Sequence, residues 1–159
     1  MTNETSKQQT NLPTILAAAS GGGHWNQMMQ LRPALEISGN VIFATTDPQL
    51  AKLASAKYEV IEDYNQSQPM KILKGLFAAH RLIRKIKPDI VVSTGAAPGL
   101  VCLLLGHLSG ARTIWVDSIA NAEKLSLSGR IASNFASITL TQWEALSDKN
   151  RIQYAGSVL

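Results

Sequence analysis

A chain of 159 residues with a net charge of +4, 45% hydrophobic and only 16% charged residues, is long enough for one well-filled core and too apolar to be disordered. No stretch reaches the roughly 18 uncharged apolar residues of a membrane span, because the best candidate, GAAPGLVCLLLGHLSGA, is broken by Pro98 and several glycines. The single cysteine excludes a disulfide within the chain and leaves no zinc-like ligand spacing, so no metal is expected.

Residues 1–12, MTNETSKQQTNL, are polar and lack the cationic and apolar segments of a secretion signal. They are expected to form a flexible polar tail, with residues 13–159 as one domain and the chain in the cytoplasm. From Thr14 onward, short β-rich runs alternate with helical patterns. The strand candidates are TILAAA, VIFATT, YEVIED, DIVVST, RTIWVDS, SITLTQ and IQYAG, and helices are expected to begin near Trp25, Pro48, Met70, Pro98 and Leu127. Asp47 followed by Pro48 is an N-cap with proline at the first helical position, and Ser126 can cap the last helix. Such alternation predicts right-handed βαβ units and a Rossmann-like three-layer α/β/α domain around a parallel sheet. Ligands of such sheets gather at the carboxyl ends of the strands.

The first strand runs into SGGGHWNQM. Gly21, Gly22 and Gly23 allow the backbone to approach a ligand closely, and the helix that follows offers free N–H groups and a positive dipole end to an anion. The third position of a dinucleotide fingerprint falls on Asn26, and no Gly-Lys-Ser/Thr follows for a P-loop. His24, at the mouth of the helix, can donate to a phosphate or sugar hydroxyl, accept a proton, or simply cap the helix. Asn26 and Gln27 add neutral hydrogen-bonding groups, with Gln27 expected to face the ligand.

The basic helix PMKILKGLFAAHRLIRKIKPD puts Ile72, Leu76, Ala79, Ile83 and Ile86 on a stripe expected to face the sheet. Leu73 and Phe77 form a second ridge, surrounded by Lys71, Lys74, Arg81 and Arg84. Apolar groups ringed by cations suit an anionic membrane surface. Nucleic acid is not expected, because the few aromatics are not interleaved with the cations.

STGAAPG, from Ser93 to Gly99, repeats the logic of the first loop, and Thr94, Gly95 and Gly99 are read with it as phosphate-binding candidates. Cys102, in the apolar run that follows, reads as a buried structural thiol. Asp117 ends the RTIWVD strand, where a carboxylate can hold an acceptor hydroxyl, orient His24, act as a base, or cap a neighbouring turn. Glu123 and Lys124 read as solvated.

SGGGHWNQM, VVSTGAAPG, DSIANAEKLSLSGRIA, LTQWEAL and YAGSV, in this order, closely resemble the acceptor-side subunit family of bipartite UDP-sugar glycosyltransferases. The family includes the membrane-side subunit of the N-acetylglucosaminyltransferase of dolichol-linked oligosaccharide synthesis and counterparts in capsule and exopolysaccharide synthesis. The resemblance runs from about Thr14 to the C-terminus and implies the N-terminal lobe of a GT-B glycosyltransferase. It further implies a polyprenyl-diphosphate-linked acceptor, no tightly bound cofactor, and a UDP-sugar co-substrate held mainly by a donor-binding partner similar to a GT-B C-terminal lobe. Membrane contact would be peripheral, through the basic helix. By the same resemblance His24 lies in the acceptor-handling loop, and Asp117 stands where relatives often carry Glu. Two other readings remain open: a non-catalytic scaffold that recruits a catalytic partner to the membrane, and a free-standing nucleotide-binding Rossmann enzyme.

Overall fold

The computed structural model describes residues 12–64, 67–148 and 150–158. All of the expected tail except Leu12 therefore lies outside the described residues. Strands β1 (Thr14–Ala19), β2 (Asn40–Thr45), β3 (Tyr58–Val60), β4 (Ile90–Gly95), β5 (Arg112–Val116), β6 (Ile138–Thr141) and β7 (Ile152–Tyr154) alternate with five helices. These are α1 (Gly23–Ser38), α2 (Pro48–Leu53), α3 (Pro69–Ile86), α4 (Ala96–Leu108) and α5 (Leu127–Ala132). A single 3₁₀ turn lies between β6 and β7.

The strands form one seven-stranded sheet in the order β3-β2-β1-β4-β5-β6-β7, and every neighbouring pair is parallel. Helices cover both faces, so the central strands have two buried sides, and alternation along β1 divides the core accordingly. Leu16 and Ala18 join Ala79, Leu82, Ile83, Leu103 and Trp115 under α3, α4 and α5. Ile15, Ala17 and Ala19 join Trp25, Met28, Phe43 and Ala51 under α1 and α2. The chain changes face between β1 and β4, and the loops after these two strands diverge to leave a crevice at their carboxyl ends.

Several boundaries differ from expectation. β3 stops at Val60, short of the predicted Asp63, because as an edge strand it pairs only with the three residues Phe43 to Thr45. α4 begins at Ala96, two residues ahead of Pro98, and Pro98 is buried inside its first turn. On α3 the buried positions are Gly75, Ala79, Leu82 and Ile83, whereas Leu76, assigned to the core stripe, is 36% exposed. The physical reason is Tyr64: its ring occupies the space a side chain at Gly75 would need, which brings that face of the helix against the body of the protein.

Candidate functional site

The two loops flanking the crevice are built alike. α1 starts from Gly22, at φ 72°, and α4 from Gly95, at φ 144°; neither helix has a side-chain cap. Both conformations are open to glycine and strained for other residues. The leading N–H groups of the two helices therefore remain available to an anion. α2, by contrast, is closed by Asp47, whose carboxylate accepts from the backbone N–H groups of Gln49 (3.0 Å) and Leu50 (3.4 Å). Gly21 is held by its own N–H donating to Thr46 Oγ1 at 2.9 Å.

In front of these loops lies an open cleft of about 1080 Å³, bordered by Gly21, Gly22, Asp47, Asp63, Ala96 and Ser128 among others. Its described lining includes two carboxylates and no lysine or arginine, so charge neutralisation of an anion falls to the helix termini, and the carboxylates suit hydroxyl groups. Asp63 and Tyr64 also border a smaller cavity of about 250 Å³ shared with Gln68 and Lys71. The start of α3 thus adjoins the cleft. Burial and the nearby Cys102 and Glu62 push the Tyr64 phenol well above the ordinary tyrosine range.

His24 lies between the two glycine loops, half-buried. Its Nδ1–H donates to the Thr94 carbonyl at 2.9 Å, since a carbonyl can only accept. The Thr94 hydroxyl in turn donates to the His24 carbonyl at 2.7 Å. No described residue holds Nε2, so a neutral ring offers a lone pair there.

The remaining residues named from sequence divide. Gly21 and Gly22 border the cleft, Gly23 is exposed beside them, and Gly95 is buried against the His24 ring. Asn26 is exposed on the outer side of the first turn. Gln27, expected to face the ligand, instead donates to Ser118 Oγ at 3.1 Å and accepts from Gln142 Nε2 at 3.1 Å, so it braces α1 against the loop after β5. Three further expectations are corrected. Thr94 is fully buried, with its hydroxyl engaged by His24, and cannot serve as a phosphate ligand through its side chain. Gly99 is buried, and a Cβ there would strike Ser93 Oγ and crowd the Ala18 carbonyl; it serves close helix–strand packing.

Asp117, at 2% exposure, is neither a free base nor the partner of His24. Its Oδ1 accepts from Trp115 Nε1 (3.0 Å) and Ser126 Oγ (2.5 Å), and its Oδ2 from Asn121 Nδ2 (3.1 Å) and the Ser126 backbone N–H (2.9 Å). It fixes the loop leading into α5, while Glu123 and Lys124 within that loop are exposed.

On α3, Lys71, Lys74, Arg81 and Arg84 are exposed, together with Met70, Leu73 at 48% and Phe77 at 69%. No helix among the described residues is long and apolar enough to cross a membrane. Sequence reading did not single out Asp63, Tyr64, Ala96 or Gln142. The only available signal was their position after strand ends, which does not say which residues turn inward.

The family model described as "Oligosaccharide biosynthesis protein Alg14 like" matches residues 49–158. Among curated proteins, the UDP-N-acetylglucosamine transferase subunit ALG14 of Yarrowia lipolytica is 26% identical, over 91% of this chain and 80% of its own length. The human protein of the same name is 28% identical, over 86% of this chain and 78% of its own. Among solved structures, MurG of Acinetobacter baumannii superposes with a TM-score of 0.77 at 18% identity, over 91% of this chain. The chain spans less than half of that structure, 46%, and the likeness is one of fold: the Rossmann-like N-terminal lobe of a GT-B glycosyltransferase.

Proposed function

The chain belongs to the Alg14-like family of oligosaccharide biosynthesis proteins, and from that premise we propose that it is the acceptor-binding, membrane-contacting subunit of a two-chain glycosyltransferase. Its relatives carry the name of UDP-N-acetylglucosamine transferase subunits, and the activity is glycosyl transfer in lipid-linked oligosaccharide biosynthesis. The acceptor in this reading is a polyprenyl-diphosphate-linked glycan of a lipid-linked oligosaccharide or of a capsule or exopolysaccharide precursor. The donor UDP-sugar is a co-substrate held mainly by a partner that resembles a GT-B C-terminal lobe, with no tightly bound cofactor.

The observation that carries the reading is the convergence of two uncapped helix N-termini, at Gly22 and Gly95, on one crevice, with His24 between them. A diphosphate can accept from the leading N–H groups of α1 and α4 without any cationic side chain. The acceptor hydroxyl then attacks the anomeric carbon of the donor. A new glycosidic C–O bond forms, the bond from the anomeric carbon to the UDP oxygen breaks, and UDP leaves with that electron pair. His24 Nε2 takes the hydroxyl proton.

The exposed Leu73 and Phe77 with Lys71, Lys74, Arg81 and Arg84 support peripheral docking on an anionic, cytoplasmic-facing membrane surface. The adjoining cleft would then open where a lipid-linked acceptor emerges.

Equilibrium binding of the isolated chain tests the division of labour. A short-chain polyprenyl diphosphate glycan should bind and be weakened by Gly22→Val, while UDP-N-acetylglucosamine should bind at least tenfold less tightly. Tight UDP-sugar binding without acceptor binding would instead support a free-standing nucleotide enzyme.

A further inference from the structure

Strand β4 ends irregularly. Ala18 of β1 lies opposite Ser93, but Ala19 lies opposite Gly95, which leaves Thr94 as the extra residue of a β-bulge. Bulges free a residue from the ladder and re-aim its groups, often beside active sites. Two further departures follow directly: Gly95 at φ 144° and Ala96 at φ 64°, a left-handed conformation that costs an alanine energy. Two of these three consecutive irregular residues, Thr94 and Gly95, meet His24. The Thr94 carbonyl takes the Nδ1–H of His24, the Thr94 hydroxyl holds the His24 backbone carbonyl, and the imidazole occupies the space that a Cβ on residue 95 would need.

We infer that Thr94 is the positioning residue for His24: its hydroxyl holds the His24 backbone so that the ring lies against its bulged carbonyl, which fixes the Nδ1–H tautomer and so makes Nε2 the basic nitrogen. The inference rests on the reading of His24 as the proton acceptor. The tautomer is decided by the hydrogen bond of the opposite ring nitrogen. A ring protonated on Nε2 would set the Nδ1 lone pair against the carbonyl oxygen 2.9 Å away, and its Nε2 would have no lone pair with which to accept a proton. Thr94 has no exposed surface, so its hydroxyl acts on the reaction only through His24. Gly95 completes the arrangement by leaving room for the ring.

The test uses the full chain with ¹⁵N-labelled histidine. His24→Gln identifies the His24 signals among the three histidines. Imidazole ¹⁵N–¹H spectra above pH 8 should show His24 protonated on Nδ1 with Nε2 bare. Thr94→Val, which keeps the carbonyl but releases the backbone clamp, should mix the tautomers, and Thr94→Ser should restore the native spectrum. In the reconstituted transferase, losing one such hydrogen bond predicts a kcat for Thr94→Val about tenfold down with little change in the acceptor KM, and recovery to within about twofold in Thr94→Ser.

Gly95→Ala, if it folds, should displace the ring and lower kcat further; the two Thr94 variants decide the matter without it. Protonation of native His24 on Nε2 overturns the inference whatever the kinetics. An unchanged tautomer and kcat in Thr94→Val overturn it as well. A native spectrum as described, combined with full activity in His24→Gln, refutes the base reading and with it any catalytic consequence of the positioning.

Discussion

Replacing Asp117 by Ala separates a structural carboxylate from a catalytic one. The side chain is 2% exposed, and its loss strands the indole N–H of Trp115, the amide of Asn121, and both the hydroxyl and the backbone N–H of Ser126. Hydrogen bonds to a charged group contribute about 1.5–3 kcal/mol each, but within one network they do not add. Part of the loss is offset because the carboxylate no longer has to be buried. A net destabilisation of about 3–5 kcal/mol follows, a large share of the roughly 5–15 kcal/mol that holds a domain together. For a chain of this size that lowers Tm by about 6–20 °C. Equilibrium unfolding in urea, followed by tryptophan fluorescence and far-UV circular dichroism, reads it directly. Gly129→Ala should act in the same direction, since a Cβ there would press on Asp117 Oδ1 and Trp115 Nε1. If Asp117→Ala unfolds within about 0.5 kcal/mol of the native chain yet abolishes transfer, Asp117 is a reacting group and the structural assignment is wrong.

Three more predictions test other parts of the structure. Neutralising Lys71, Lys74, Arg81 and Arg84 to Gln removes about 1 kcal/mol per cation near an anionic surface. Partitioning onto phosphatidylserine vesicles in a sedimentation assay should therefore fall by up to about a thousandfold, and undiminished binding would remove α3 as the docking element. Burial pushes the Cys102 thiol up to about 12, so iodoacetamide at pH 8 should label the chain only after denaturation; rapid labelling of the native chain would show the site to be open.

Asp148 is held below the ordinary carboxylate range by backbone N–H groups, first that of Ile152 and then that of Asn150, which donate to its Oδ1 at 2.8 and 2.9 Å. Because its folded value lies below the unfolded one, the turn's contribution is present above the unfolded pKa and disappears as pH falls through the folded one. The Ile152 amide proton shift should titrate with a midpoint below that of an unperturbed aspartate, and a midpoint at or above it would contradict the turn geometry.

Features set by local chemistry were legible in the sequence. Asp47 and Ser126 cap α2 and α5 as their positions imply, Cys102 is buried, and the alternation of apolar runs with helical patterns produced the parallel sheet. Features set by distant partners were not. The face of α3 depends on Tyr64 meeting Gly75, which no helical periodicity contains. The bulge at Thr94 exists only in the register between β1 and β4. Asp117 looked like a base because a strand end faces the ligand edge. Its four donor groups, on Trp115, Asn121 and Ser126, come from β5, the following loop and the cap of α5, and only the fold brings them together.

A reconstituted transfer assay combines the chain, a donor-lobe partner, membrane-bound polyprenyl-diphosphate acceptor and labelled UDP-N-acetylglucosamine, with each protein omitted in turn. Label should enter the lipid only when both proteins are present, and His24→Ala should lower the rate by at least about a hundredfold, the scale of general base catalysis. Equal transfer by the partner alone, or an unimpaired His24→Ala, would contradict the account.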